Sequence, residues 1–193
     1  MKTKSILKYG ALWGIFEITL GFLLHLLNSS LASAILIPIG VLFMWAAYKS
    51  TNKWWSIPLV SVIAAVSRMV IYTVINNFTC CTEGIFPTLA IVLEGLAFIY
   101  PIIFLEKEKK KGSFLFVFKP ILLFYVAILL YMIVFKSFAA VIKWGDINTL
   151  LAEYDIKKEL IALFLDTLIS SALIGIAIVL QEIFLLIVYH KSD

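Results

Sequence analysis

Glu17, Arg68, Glu94, Asp166 and Glu182 each interrupt a long apolar stretch of this 193-residue chain. Lipid is a poor solvent for charge: insertion scales put Asp, Lys or Arg at a span centre at about 2.5–3.5 kcal/mol each. Such residues must therefore be paired, neutralised or solvated in a cavity. Glu17, Arg68 and Glu94 fall near the middle of their stretches, and the economical expectation is a buried pair of Arg68 with Glu17 or Glu94. One arginine cannot neutralise both carboxylates, so the second takes a proton or meets a substrate. A second group, His25, Asp166 and Lys136, lies toward one end of the stretches, with Asn76, Asn77, Cys80, Cys81 and Trp144 in the adjoining loops. Acid, base and aromatic side chains that converge at a mouth can hold a small polar molecule. The substrate-binding candidates are His25, Asp166, Trp144, Glu94 and Glu17.

The elements that must position these residues are helices in a membrane. The chain is 63% hydrophobic and only 15% charged, against about 45–50% and about 25% in soluble domains, and its mean hydropathy is +1.05. Stretches over 6–28, 31–48, 54–77, 85–105, 114–142 and 160–189 each meet the roughly 17–25 residues that a helical span needs. The expected fold is all-α: a six-helix polytopic bundle forming a single integral membrane domain over 1–193. Lys119-Pro120 marks the start of the embedded part of the fifth span, since proline suits a first helical turn.

Lysine sets the orientation. With the N-terminus in the cytoplasm, Lys2, Lys4, Lys8, Lys49, Lys53, Lys107, Lys109, Lys110, Lys111 and Lys191 all lie inside, and an even number of spans returns the C-terminus to the same side. The net charge of +4 reports this topology and carries no nucleic-acid footprint. The expected location is the cell membrane. A cleaved signal peptide is disfavoured, because the first apolar run is longer than the roughly 7–15 residues of an h-region and contains Glu17.

The first span has an organised face. At about 100° per residue, Gly10, Gly14, Glu17, Gly21, His25 and Asn28 fall within roughly 80° of one another. Small and polar residues on one side of a greasy helix mean that this side meets protein or a cavity. On span 3, Ser61, Ala64, Ala65, Arg68 and Tyr72 share a side; on span 4, Glu94 shares one with Pro87, Ala90, Ala97 and Pro101. On span 6, Asp166, Ser170, Ala177 and Gln181 lie opposite Ser171, Gly175 and Glu182, the pattern of a helix placed centrally in the bundle.

Several chemistries lack their motifs. There is no GxSG serine nucleophile, no HExxH zinc-protease pair and no GxxxxGKS/T phosphate loop. His, Cys and carboxylates are too scattered for a metal site, and adjacent Cys80 and Cys81 do not make a CxxC redox pair. No cofactor is expected, and an enzyme is disfavoured.

Six spans, both ends inside, an outward polar cluster and the small-xxx-small segment Gly10-Ala-Leu-Trp-Gly14, extended by Gly21, resemble the S component of energy-coupling factor (ECF) transporters. That resemblance implies capture of a vitamin-like or metal-related solute at the outer face. It also implies docking of Gly10, Gly14 and Gly21 on a transmembrane coupling subunit, with cytoplasmic ATPases driving release. In that reading His25, Asp166 and Trp144 contact the ligand. The alternatives are a non-catalytic membrane scaffold or accessory subunit, in which every buried charge is structural, and an intramembrane enzyme using Glu17, Glu94 or His25.

Overall fold

A backbone in hydrocarbon must satisfy every N–H and C=O internally, and an uninterrupted helix does this within one segment. The computed structural model of the chain describes residues 2–26, 32–75, 82–110, 118–144 and 156–190, and these are helical apart from the turn at 52–55 and Phe98. The helices are α1 (Lys2–Leu26), α2 (Ala32–Thr51), α3 (Ser56–Ile75), α4 (Thr82–Ala97), α5 (Ile99–Lys110), α6 (Phe118–Trp144) and α7 (Ile156–His190). Six stretches are long and apolar enough to cross a membrane: Thr3–Leu24, Ala32–Thr51, Ser56–Ile75, Ile85–Glu108, Lys119–Phe138 and Leu160–Gln181. They coincide with the six expected from the sequence, and their mean hydropathy runs from 1.4 to 2.3.

The fourth stretch is one apolar run but two helices. Pro101 has no N–H to offer the Ala97 carbonyl, and its ring crowds that carbonyl, so the helix is interrupted at Phe98. Hydrogen bonds survive across the interruption, from Phe98 N–H to Glu94 O and from Ile102 N–H to Phe98 O, both 3.1 Å. The turn between α2 and α3 has a different cause. Asn52 sits at φ 56°, the left-handed conformation that asparagine tolerates at a helix C-terminus, and its N–H reaches Tyr48 O at 2.7 Å. Lys53 N–H then bonds the Thr51 hydroxyl at 3.3 Å, and the Ser56 hydroxyl bonds Lys53 O at 2.7 Å.

Lipid tails are as apolar as leucine, so helices associate in a membrane through close packing and polar contacts. The glycines mark where that packing is closest. A Cβ on Gly14 would lie 2.7 Å from both Ala64 O and Ser67 Cβ, and one on Gly10 would lie 2.6 Å from Ile63 Cβ. The register advances in the same direction along both helices, so α1 and α3 run parallel. On α4, Gly95 lies against Ser61 of α3; on α7, Gly175 lies against Ile121 of α6. The core between the helices holds Trp13, Met44, Ile57, Phe98, Phe124 and Ile128. Ile15, Phe16, Phe22 and Leu23 are exposed on α1, a surface suited to lipid.

Candidate functional site

The polar face of α1 leads into the bundle. Glu17 is 5% exposed. Arg68 Nη1 on α3 lies 3.4 Å from Glu17 Oε2, forming an ion pair. Trp13, one helical turn earlier on the same face, donates its indole N–H to Glu17 Oε1 at 3.1 Å. The expected buried pair therefore forms with Glu17 as its acid. It depends on the stripe beneath it, because Gly14 brings α1 close enough to α3 that a Cβ would sit 3.3 Å from the Arg68 backbone nitrogen.

Glu94, on α4, is 3% exposed. Its Oε1 is fully buried and has no hydrogen-bond partner among the described residues. That oxygen lies against Gly40 of α2, where a Cβ would collide with it and would also meet the Trp13 ring at 2.6 Å. Gly40 thus lets Trp13 and Glu94 reach the same spot on α2.

Asp166, on α7, is 8% exposed and accepts a hydrogen bond from the Ser33 hydroxyl of α2 at 2.8 Å. One turn further along α7, the buried Ser170 hydroxyl donates to Ala34 O at 3.2 Å. The reason lies in α2 itself. Pro38 stands four residues after Ala34 and has no N–H to give it, and a serine from a neighbouring helix satisfies such a freed carbonyl. These contacts set α2 and α7 parallel and fix α7 at this end of the bundle.

Between these groups lies a cavity of about 390 Å³, within the roughly 300–1,000 Å³ typical of small-molecule sites. Charged side chains reach it from five helices: Glu17 (α1), Arg68 (α3), Glu94 (α4), Lys136 (α6) and Asp166 (α7). Ser33, Leu36 and Ile37 close it from α2, Phe86, Pro87, Ala90 and Ile91 from α4, and Tyr131, Met132 and Phe135 from α6. The Tyr131 and Phe135 rings stack at 6.1 Å with 14° between their planes. The cavity occupies the half of the bundle away from the Asn52 turn. At the turn's end, Trp45 donates its indole N–H to Glu106 at 2.5 Å and Lys49 lies over the Trp45 ring at 5.3 Å.

The structure thus gathers Glu17, Glu94, Arg68, Asp166 and Lys136, read from the sequence as two groups, around one cavity. The side chains of His25, Trp144 and Glu182 lie outside the described residues, as do Asn76, Asn77, Cys80 and Cys81. Among the described residues no three His, Cys, Asp or Glu side chains gather to hold a metal ion. The glycine stripe is used differently from the expectation of a partner's helix. Gly10 and Gly14 are covered by α3 of the same chain, and among the described residues a Cβ on Gly21 would meet Leu36 of α2 alone, at 3.9 Å. Glycines at i and i+4 show that some helix comes close, and the nearest helix able to fill the space is the chain's own.

Trp13, Ser33 and Tyr131 were not expected at the site. Trp13 carried a usable signal, since a donor four residues before a buried glutamate shares its face. Ser33 sits in a run of small residues and Tyr131 in a long apolar run, so neither stands out from its neighbours. Compared with protein-family models, curated proteins and solved structures, the chain finds no match.

Proposed function

We propose that this chain is a membrane-embedded binding and uptake subunit for a small organic solute. The observation that supports it is the cavity, with charged side chains from five of its helices turned toward one space of ligand size. A scaffold needs its buried charges only to neutralise one another, and the closest packing between helices does that best. Holding the charges around a cavity sacrifices that packing, which a binding site recovers when its ligand supplies the missing contacts.

The lysines at Lys49 and Lys53 flank the Asn52 turn. The positive-inside tendency assigns that turn to the cytoplasm, so the cavity lies in the outer half, where a scarce solute arrives. From the resemblance to ECF S components the proposal retains outward capture and energy supplied by separate proteins. It does not retain Gly10 and Gly14 as the docking surface, because α3 covers them.

The test is ligand-dependent stability of the protein in lipid nanodiscs. A low-molecular-mass extract of the expression host should raise the Tm of the wild type. Ala90→Trp, which places an indole in the cavity, should remove that response. No shift in the wild type, or the same shift in both proteins, would count against a solute site in this cavity.

A further inference from the structure

The cavity holds three carboxylates, Glu17, Glu94 and Asp166, and two cations, Arg68 and Lys136. Their commitments differ. Arg68 is held by Glu17, Lys136 is itself partnered, and Asp166 takes the Ser33 hydroxyl. Glu94, 97% buried by its 3% exposure, has an oxygen with no hydrogen-bond partner among the described residues. An acceptor in a low-dielectric interior is costly unless something donates to it. The lining therefore sets three acids against two cations, and Glu94 is the acid with no hydrogen bond or ion pair among the described residues.

The rest of the wall is apolar and aromatic. Phe86 of α4 and the stacked Tyr131 and Phe135 of α6 face the same space, and aromatic faces attract cations as well as apolar groups. No three acidic, His or Cys groups among the described residues converge at metal-ligand spacing, so the balancing charge fits an organic donor better than a bare divalent ion.

We infer that the solute of this cavity is a small organic cation, a protonated amine on an apolar body, with Glu94 as its counter-charge and Phe86, Tyr131 and Phe135 as its apolar wall. This rests on the binding role proposed above. A protonated amine both donates to Glu94 and gives its ionised form a counter-charge; an anion of the same shape adds negative charge to an acid-rich lining; a neutral alcohol donates a hydrogen bond but brings no counter-charge.

Three probes of one shape and different charge separate the possibilities: phenethylammonium, 2-phenylethanol and phenylacetate. Each is titrated calorimetrically into the protein in zwitterionic nanodiscs, with Ala90→Trp subtracting heat from partition into lipid. The wild type should bind phenethylammonium in preference to the other two. Glu94→Gln should weaken that binding by about 10- to 100-fold, the loss of one charge-assisted hydrogen bond. Cavity-specific binding of the alcohol or the carboxylate in place of the cation would overturn the cation assignment and leave the binding role standing. Undiminished cation binding in Glu94→Gln would overturn the assignment of Glu94. Failure of all three probes, with wild type and Ala90→Trp alike, would count against both.

Discussion

Removing the Arg68 guanidinium should destabilise the protein, and removing both members of its pair should restore most of what was lost. Arg68→Ala leaves the Glu17 carboxylate 5% exposed with the Trp13 indole as its remaining described donor. Breaking a buried pair from one side costs about 3–5 kcal/mol. Two features place this pair at or below the low end. The N···O separation of 3.4 Å is longer than the roughly 2.7–2.9 Å of a strong charge-assisted bond, and the Arg68 side chain keeps 18% of its surface exposed. A loss of about 2–3 kcal/mol follows, which at about 2–4 °C per kcal/mol for a chain of this size is a fall of roughly 4–12 °C in Tm. The assay is thermal unfolding in nanodiscs, followed by intrinsic fluorescence. Glu17→Gln with Arg68→Met removes both charges while the Gln amide still accepts the Trp13 N–H, so this double variant should return to within about 1 kcal/mol of the wild type. A wild-type Tm in Arg68→Ala would refute the idea that Arg68 neutralises a buried acid. A double variant as unstable as Arg68→Ala would show that packing of the arginine stem, not charge, carries the effect.

Three further outcomes follow from the packing. Gly14→Ala forces a methyl to 2.7 Å from Ala64 O and Ser67 Cβ and should cost about 1–3 kcal/mol, whereas Gly21→Ala, with its nearest contact at 3.9 Å, should be neutral or gain up to about 1 kcal/mol of helix propensity; equal Tm changes would contradict the close α1–α3 contact. Ser170→Ala should cost about 1–2 kcal/mol by stripping the only side-chain donor described for Ala34 O, while Ser171→Ala, whose hydroxyl bonds Leu168 O in its own helix, should change little. Pro38→Ala should rescue Ser170→Ala by restoring an N–H to that carbonyl, and lack of rescue in the same melting assay would refute this reading of the proline. Asn52→Val should cost about 1–2 kcal/mol at a φ of 56°, and Asn52→Gly should be tolerated; the reverse order would show that the turn is not set by backbone conformation.

Helix positions were legible because spans of this length have few alternatives: six apolar runs became six helical stretches of membrane length, the fourth of them broken at Phe98, with ends differing by up to eight residues. The break at Phe98 was not expected, although Pro101 carried its cause in the sequence. That Arg68 meets a buried acid was legible because these charges stand alone among apolar neighbours at similar depth, but the choice of Glu17 over Glu94 was not. What faces a stripe was not legible. Gly10 and Gly14 say that a helix approaches, and only the packed structure identifies it as α3. The merging of the midplane charges with Asp166 and Lys136 also depends on how α4, α6 and α7 close around α2, and no periodicity within a single helix encodes that. Proline carbonyl repair is hidden for the same reason: Pro38 announces an unsatisfied Ala34 carbonyl, but its donor lies more than a hundred residues away at Ser170.

Native mass spectrometry of the protein released from nanodiscs tests the solute-binding role most directly. The wild type should carry a bound small molecule that Ala90→Trp lacks, and tandem dissociation should release that molecule as a singly charged cation. A wild type that is consistently bare, after incubation with small-molecule extract and under conditions that preserve bound lipid, would contradict the proposal that this cavity exists to hold a solute.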